Sequence, residues 1–251
     1  MSSIKLGIQN YTIRNELEVD FFGAIEKCRE MGLRYCQISG GLYGHAPEEV
    51  RDRFSRMDMH AVAVHAGLEE LENDFERVIE QATVLGYRLI VLPWVAKERL
   101  AQGWAKFAKE VEPIARKLKE RGFQFNYHNH SFEFEREADG RIGLDVFYEE
   151  TDPDLVFAEI DTYWVKHGGQ DPAAYIRKVK GRTSLTHFKD MAQDGSMTEC
   201  GEGILDWDGI LAACRDVGVE YGVIELDECP HPTFESVRMC TEFFRSKGIA
   251  E

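Results

Sequence analysis

His128 and His130 stand one residue apart in Asn126-Tyr127-His128-Asn129-His130-Ser131-Phe132-Glu133-Phe134, where an apolar run beginning at Gly122-Phe123 ends. Side chains two apart on a strand point the same way, so the two imidazoles are expected to share a face. Packing does not call for two histidines and a glutamate at such a place, whereas proton transfer or metal binding does. Other apolar runs end in the same kinds of residue: His65, then Asp161, then His187 with Lys189 and Asp190, then Glu225 with Asp227. Any one of them is explained as a cap or a loop-solvating residue. Their recurrence on consecutive strands points instead to a metal. Asp161, His187 and Glu225 offer one nitrogen and two carboxylates, which suits one divalent ion (Mn²⁺, Mg²⁺, Co²⁺ or Zn²⁺) with positions left for water and substrate oxygens. The set has no thiolate, so a closed structural zinc site is not indicated. Such an ion holds a hydroxy-carbonyl compound by two oxygens and stabilises the charge that builds when the neighbouring carbon loses its proton.

The elements that must position these residues alternate from end to end. Strand-length runs are read at 4–9, 35–38, 60–65, 89–93, 123–130, 155–161, 183–188 and 222–226, with helical stretches between them. Phe22, Ile25, Cys28 and Met31 mark one face of the first helix. Pro47 stands at a plausible first helical position, and Pro113 predicts a kink in the long helix that carries Trp104, Phe107, Val111, Ile114 and Leu118. Gly32, Gly86, Gly122, Gly181 and Gly218 each fall just past a helix, where a left-handed residue is expected. Residues 135–141 read as a hairpin excursion. Eight strand–helix units in 251 residues predict an α/β protein, a single-domain (β/α)8 TIM barrel over 1–251, with its active site at the C-terminal ends of the strands. An open doubly wound sheet is disfavoured because Gln9-Asn10-Tyr11-Thr12-Ile13-Arg14 stands where a Gly-rich phosphate loop belongs.

Thirty basic against 45 acidic residues give a net charge of −15, which repels phosphate backbones and argues against nucleic acid as a partner. No run is long enough to span a bilayer, and the first strand follows the N-terminus too closely for a signal peptide, so a cytoplasmic protein without membrane contact is expected. The six cysteines show no CxxC spacing and are read as reduced packing residues.

Six motifs together carry a resemblance that runs nearly the whole chain: Gln9-x-Tyr11-x-x-Arg14, Tyr127-His128-Asn129-His130-x-Phe132-Glu133-Phe134, Asp161-x-Tyr163-Trp164, His187-x-Lys189-Asp190, Gly201-x-Gly203-x-x-Asp206-Trp207 and Glu225-x-Asp227. The chain resembles the sugar phosphate isomerase/epimerase family of the xylose-isomerase-like TIM barrels. The resemblance implies one divalent metal held at the ends of strands five to eight, by Asp161, His187, Glu225 and a fourth group. Familiar members carry a glutamate at the position aligned with His128. Either Glu133 swings back to complete three carboxylates and one histidine, the favoured reading, or His128 is the fourth ligand. Trp164 stands where many epimerases have a substrate-binding histidine, and an indole cannot accept a hydrogen bond from the same hydroxyl. His130 and Lys189 fall where related dehydratases contact substrate.

The expected activity is that of a metal-dependent isomerase or epimerase of a keto-sugar or related hydroxy-carbonyl compound, working through a metal-stabilised enediolate. Glu133, Glu225 or His130 would move the proton, Lys189 would polarise or protonate, and His65, His128, Trp164 and Gln9 would contact substrate. The alternative is a lyase or dehydratase acting on a 3-keto-sugar, inosose or dehydroshikimate-like substrate. A hydrolase of the apurinic-site endonuclease type would need a multi-metal cluster and a basic groove, and a binding module would hold metal without turnover. Partners reduce to a small carbohydrate and, at most, further copies of the chain.

Overall fold

Strand-sized apolar runs separated by helical stretches can only pair in parallel, because each return crossing must be made by a helix. A computed structural model describes residues 4–249. In it β1 (Lys5–Gln9), β2 (Tyr35–Ile38), β3 (His60–His65), β4 (Leu89–Leu92), β5 (Gln124–His128), β6 (Val156–Asp161), β7 (Leu185–Phe188) and β8 (Tyr221–Ile224) follow one another round a closed barrel, and β8 pairs with β1. The chain is therefore the (β/α)8 barrel that its periodicity predicts. Eight principal helices surround it: α1 (Phe21–Glu30), α2 (Pro47–Met57), α3 (Phe75–Leu85), α4 (Trp104–Glu120), α5 (Gly143–Glu149), α6 (Pro172–Lys178), α7 (Trp207–Val217) and α8 (Thr233–Ser246). Among the described residues no helix is long and apolar enough to cross a membrane.

Each strand shows one face to the helices and the other to the barrel interior. Ile8, Cys36, Ile90, Phe125 and Tyr127 join the large core between strands and helices, where α4 buries Trp104, Phe107, Val111 and Leu118. The lower interior holds a separate apolar plug of Val62, Ala63, Val91, Leu185 and Val223. Above that plug the inward residues become polar. One irregularity bears on them: the pairing of β2 with β3 slips by one residue between Cys36 and Gln37. Such a slip re-aims a side chain.

Helix ends follow the sequence signals. Asp171 accepts the Ala174 N–H ahead of α6, and Gly86 and Gly218 close α3 and α7 at φ of 81° and 83°. The hydrogen-bonded helix α4 continues through Pro113 rather than ending there. The excursion at 135–141 is present as an antiparallel bridge from Arg136 to Ile142. Two boundaries shift in a way that matters. β5 stops at His128, so His130 lies in the following loop, and β8 stops at Ile224, so Glu225 lies just past it.

The loop after β7 adds a small hairpin, Asp190–Met191 against Met197–Thr198. Buried Asp190 ties it down by accepting the Gly201 N–H at 2.9 Å and the Trp207 indole N–H at 2.6 Å. Gly203 lies so close that a Cβ there would sit 2.2 Å from the Asp190 carboxylate. The glycines and Trp207 of that motif thus build a loop around Asp190, which explains them without assigning them chemistry.

Candidate active site

At the C-terminal end of the barrel, His128, Asp161, His187 and Glu225 bring one ligand atom each to within 4.8 Å of one another, and all four are buried. Three come from the ends of β5, β6 and β7, and Glu225 from the residue after β8. Asp161 also caps the short helix Thr162–His167 by accepting the Trp164 N–H through Oδ1, which turns Oδ2 toward the cluster. Asp161 Oδ2 is buried with no hydrogen-bond partner, as is His128 Nδ1. Buried polar atoms without a hydrogen bond are costly, and a cation would complete the surroundings of this carboxylate oxygen, which otherwise has only ion-pair contacts, with Lys189 at 3.2 Å and His187 at 3.8 Å. The donor set of two imidazoles and two carboxylates fits a divalent ion of the Mn²⁺ to Zn²⁺ series.

Lys189 enters this group from beside β7. Its Nζ lies 2.7 Å from Glu225, 3.2 Å from Asp161 and 3.0 Å from Asp227, whereas Asp190 is engaged with its own loop. Arg14 steadies the far side by donating to the main-chain oxygen of Asp227 at 2.8 Å.

A second tier lies directly beneath. Glu159, fully buried in the middle of β6, holds Oε2 at 2.8 Å from His65 Nε2, 3.1 Å from His128 Nδ1 and 3.3 Å from His187 Nε2. The His128 contact is close enough for a hydrogen bond but not aligned for one. Glu159 Oε1 accepts the Gln37 amide at 2.6 Å, and Gln37 Oε1 faces His187 Nε2 at 2.5 Å. His65, His128, Glu159 and His187 form a second group with metal-ligand spacing. Neither Glu159 nor Gln37 figures among the candidates drawn from sequence. A signal was there: Glu159 precedes Asp161 by two and so faces the same way, and an acidic residue mid-strand in a parallel barrel has to be answered by partners.

Burial opposes charge on every one of these groups, and pairing decides the outcome. Burial works against the His187 imidazolium, but the Glu159 and Glu225 carboxylates prevail and raise its pKa to about 10. Burial, joined by the neighbouring His187 and His130, outweighs Glu159 and carries His128 well below the usual histidine range. Glu159 and Glu225 resist burial and stay well below the carboxylate range, Glu159 through His187 and His65, Glu225 through Lys189 and His187. Asp161 is raised because burial outweighs Lys189. Lys189 is raised because its carboxylates outweigh burial. Without an ion, then, a proton on His187 and the Lys189 ammonium balance the carboxylates. An incoming cation must displace that proton.

The remaining predicted site residues divide. A cavity of about 260 Å³ opens at this end, lined by His65, His128, His130, Lys189, Glu225 and Asp227 among others, with Tyr11 and Trp94 at its rim. His130 reaches it from the loop, its ring 4.9 Å from that of His128. Glu133 does not join the ligand group. Tyr127, whose side chain points outward from β5, donates its hydroxyl to Glu133 Oε1 at 3.0 Å, and the His130 N–H donates to Oε2 at 2.9 Å. That carboxylate is therefore held behind the strand, in the layer between barrel and helices, instead of swinging back over the barrel mouth. His128, the alternative the sequence leaves open, is the residue that stands with Asp161, His187 and Glu225. Gln9 is fully buried beside His65 at 3.4 Å and does not line the cavity. Trp164 is also absent from the lining and packs beside His130, with ring centroids 5.4 Å apart and planes tilted by 47°.

Residues 25–240 match the Xylose isomerase-like TIM barrel family, and the chain belongs to it. Among curated proteins it is similar to an inosose dehydratase of Lacticaseibacillus casei, 25% identical over 146 residues that make up 51% of this chain and 48% of that protein. The chain thus spans about half the length of the curated relatives it matches. Among solved structures, a sugar phosphate isomerase/epimerase from Parabacteroides distasonis superposes with a TM-score of 0.82 at 22% identity, covering 100% of this chain and 96% of the other. The IolI protein, solved with a zinc atom, superposes with a TM-score of 0.69 at 15% identity over 97% of both chains. The likeness to the solved structures is one of fold.

Proposed function

We propose that the chain is a divalent-metal-dependent enzyme that removes the proton beside the carbonyl of a small polyhydroxy-carbonyl carbohydrate, a keto-sugar or an inosose, and expels a hydroxyl from the next carbon. The observation that carries this reading is that His130 and Lys189 line the same cavity as His128 and Glu225 of the ligand group. His128, Asp161, His187 and Glu225 would hold a divalent ion, which would supply Lewis-acid chemistry and offset the negative charge that follows proton loss.

The chain's own residues do the rest. His130 takes the proton: its ring faces the cavity, and Nδ1 is buried with no hydrogen-bond partner, 3.9 Å from Glu133. Glu133 holds the loop that carries this ring and favours the imidazolium as it forms. Lys189, fixed by Asp161, Glu225 and Asp227, is placed to protonate the departing hydroxyl. His65 and Trp94 bound the space around the substrate. Epimerisation would need a second proton carrier on the opposite face. Of the carboxylates on the cavity, Glu225 is engaged at 2.7 Å by both His187 and Lys189, and Asp227 at 3.0 Å by Lys189. The similarity to inosose dehydratases supports elimination as well.

Isomerisation and 3-epimerisation share the first step, so the test separates them by product. Metal-loaded protein is incubated in D₂O with ketoses, inososes and 3-keto-glycosides, and both carbon-bound deuterium and ultraviolet absorption of a conjugated enone are followed. Deuterium incorporation together with enone formation is expected. Deuterium in a rearranged or inverted sugar without loss of water would replace elimination by isomerisation or epimerisation. Absence of both deuterium exchange and enone across the panel would reject proton removal altogether.

A further inference from the structure

His187 has two ring nitrogens with different tasks. Nδ1 faces the ligand group, 2.7 Å from Glu225 and 3.8 Å from Asp161, while Nε2 faces the tier beneath. Only a nitrogen without a proton can bind a metal, so something must keep the proton of neutral His187 on Nε2. Gln37 is the immediate neighbour, and an amide can present either its oxygen or its NH₂ to an imidazole. Which it presents is decided one step further on. An ionised carboxylate only accepts, so Glu159 Oε1, at 2.6 Å from Gln37 Nε2, demands the NH₂ end. The amide oxygen is thereby turned to His187 Nε2 at 2.5 Å, and Nε2 must carry the hydrogen. The register slip at Gln37 brings that side chain to this position, and the contacts of Glu159 with His65 and His128 hold the carboxylate at the centre of three imidazoles.

We propose that Glu159, acting through Gln37, is the positioning residue of the metal centre: it sets the tautomer of His187, with Nε2 protonated and the Nδ1 lone pair directed at the site shared with His128, Asp161 and Glu225. This rests on the reading that those four residues hold the ion. It also orders the two overlapping groups. The upper one is the metal site, and the lower one is its orienting shell, with His65 tying the shell to the cavity wall.

Glu159→Gln retains the shape but lets the chain of donors run backwards: the substituted amide offers its NH₂ to Gln37, Gln37 offers NH₂ to His187 Nε2, and the proton moves to Nδ1. Zinc affinity, measured by competition with a chromophoric chelator, is expected to fall roughly 10- to 100-fold, the usual cost of removing an outer-shell partner. Glu159→Asp, which keeps an acceptor-only group, is expected to recover part of that loss. A residue that merely filled space would show no such recovery. In the zinc-loaded wild type, ¹⁵N NMR of the His187 ring is expected to show a metal-bound Nδ1 and a protonated Nε2. Should Glu159→Gln fail to fold, Gln37→Met breaks the same relay with Glu159 intact, and its zinc affinity is expected to fall as well. Unchanged zinc affinity in the folded variant, or a metal-bound Nε2 in wild type, overturns the inference while leaving the metal site standing. Zinc retained by Asp161→Asn and Glu225→Gln but lost by Glu159→Gln places the ion in the lower tier and also overturns it. A wild type that binds no zinc, manganese, cobalt or magnesium rejects the metal reading itself, and this inference with it.

Discussion

Lys5 and Lys189 each hold an ammonium 2.7 Å from a glutamate, at opposite ends of the same barrel. Lys5 and its partner Glu220 keep 36% and 49% of their side chains exposed, whereas Lys189 and Glu225 keep 2% and 5%. Water screens the first pair and holds its charges nearly as well when they part. Nothing replaces the partners of the second, so each of its charges depends on the others. Two contacts of equal length therefore differ in kind. Solvent distinguishes them, and distance does not.

The same contrast runs through the two ends as a whole. The larger concavity, about 890 Å³, lies at the N-terminal end, lined by Tyr35, His60, Arg88, Gln124, Glu220 and Tyr221 among others. It gathers no group with metal-ligand spacing among the described residues, and its charges pair at the surface, as Asp58 does with Arg29 and Arg34. The cavity at the C-terminal end is less than a third of that size, yet buried carboxylates, imidazoles and an ammonium converge on it. Unscreened charge, more than volume, marks the candidate site.

Exchanging the two lysines' fates is the severest way to break this comparison. Lys189→Met leaves buried carboxylates short of a cation and is expected to cost about 3–5 kcal/mol of stability in metal-free protein. Lys5→Met is expected to cost no more than about 1 kcal/mol. Urea unfolding of both variants in chelator checks the pair of values, and equal costs would abolish the distinction. A pH series sharpens it next. His187 has its pKa raised, to about 10, so its charged pairing stabilises the metal-free fold fully below the unfolded value of about 6.5 and is lost as pH rises through 10. Metal-free protein should therefore lose stability between neutral pH and 10, and His187→Gln should remove that part of the slope. A smaller effect than at Lys189 is expected at Glu133. Glu133→Gln removes charge from a carboxylate that anchors a loop and is expected to cost about 1–3 kcal/mol, with metal affinity unchanged. Loss of metal in this variant would restore Glu133 to the ligand group.

Much of this was legible in the chain itself. Strand-length apolar runs alternating with helical periods, and glycines past the helix ends, are local signals. They are written in neighbouring residues, and the barrel follows from them. Asp161, His187 and Glu225 were legible for the same reason, as polar residues that end apolar strands. What the sequence could not decide was direction. Glu133 follows His128 by five residues and can be imagined over the barrel mouth. Only the packed structure shows Tyr127 and the His130 N–H taking its carboxylate to the other side of the strand. Glu159 and Gln37 are 122 residues apart, and nothing local to either announces the other. Their meeting depends on barrel closure and on a one-residue slip between β2 and β3. Residue types and periodicity determined which kinds of side chain the C-terminal end of the barrel carries. Which side of a strand each side chain faces, and which distant partner is buried against it, was decided by the tertiary structure, because a buried charge has to be answered by whatever the closed barrel brings within reach.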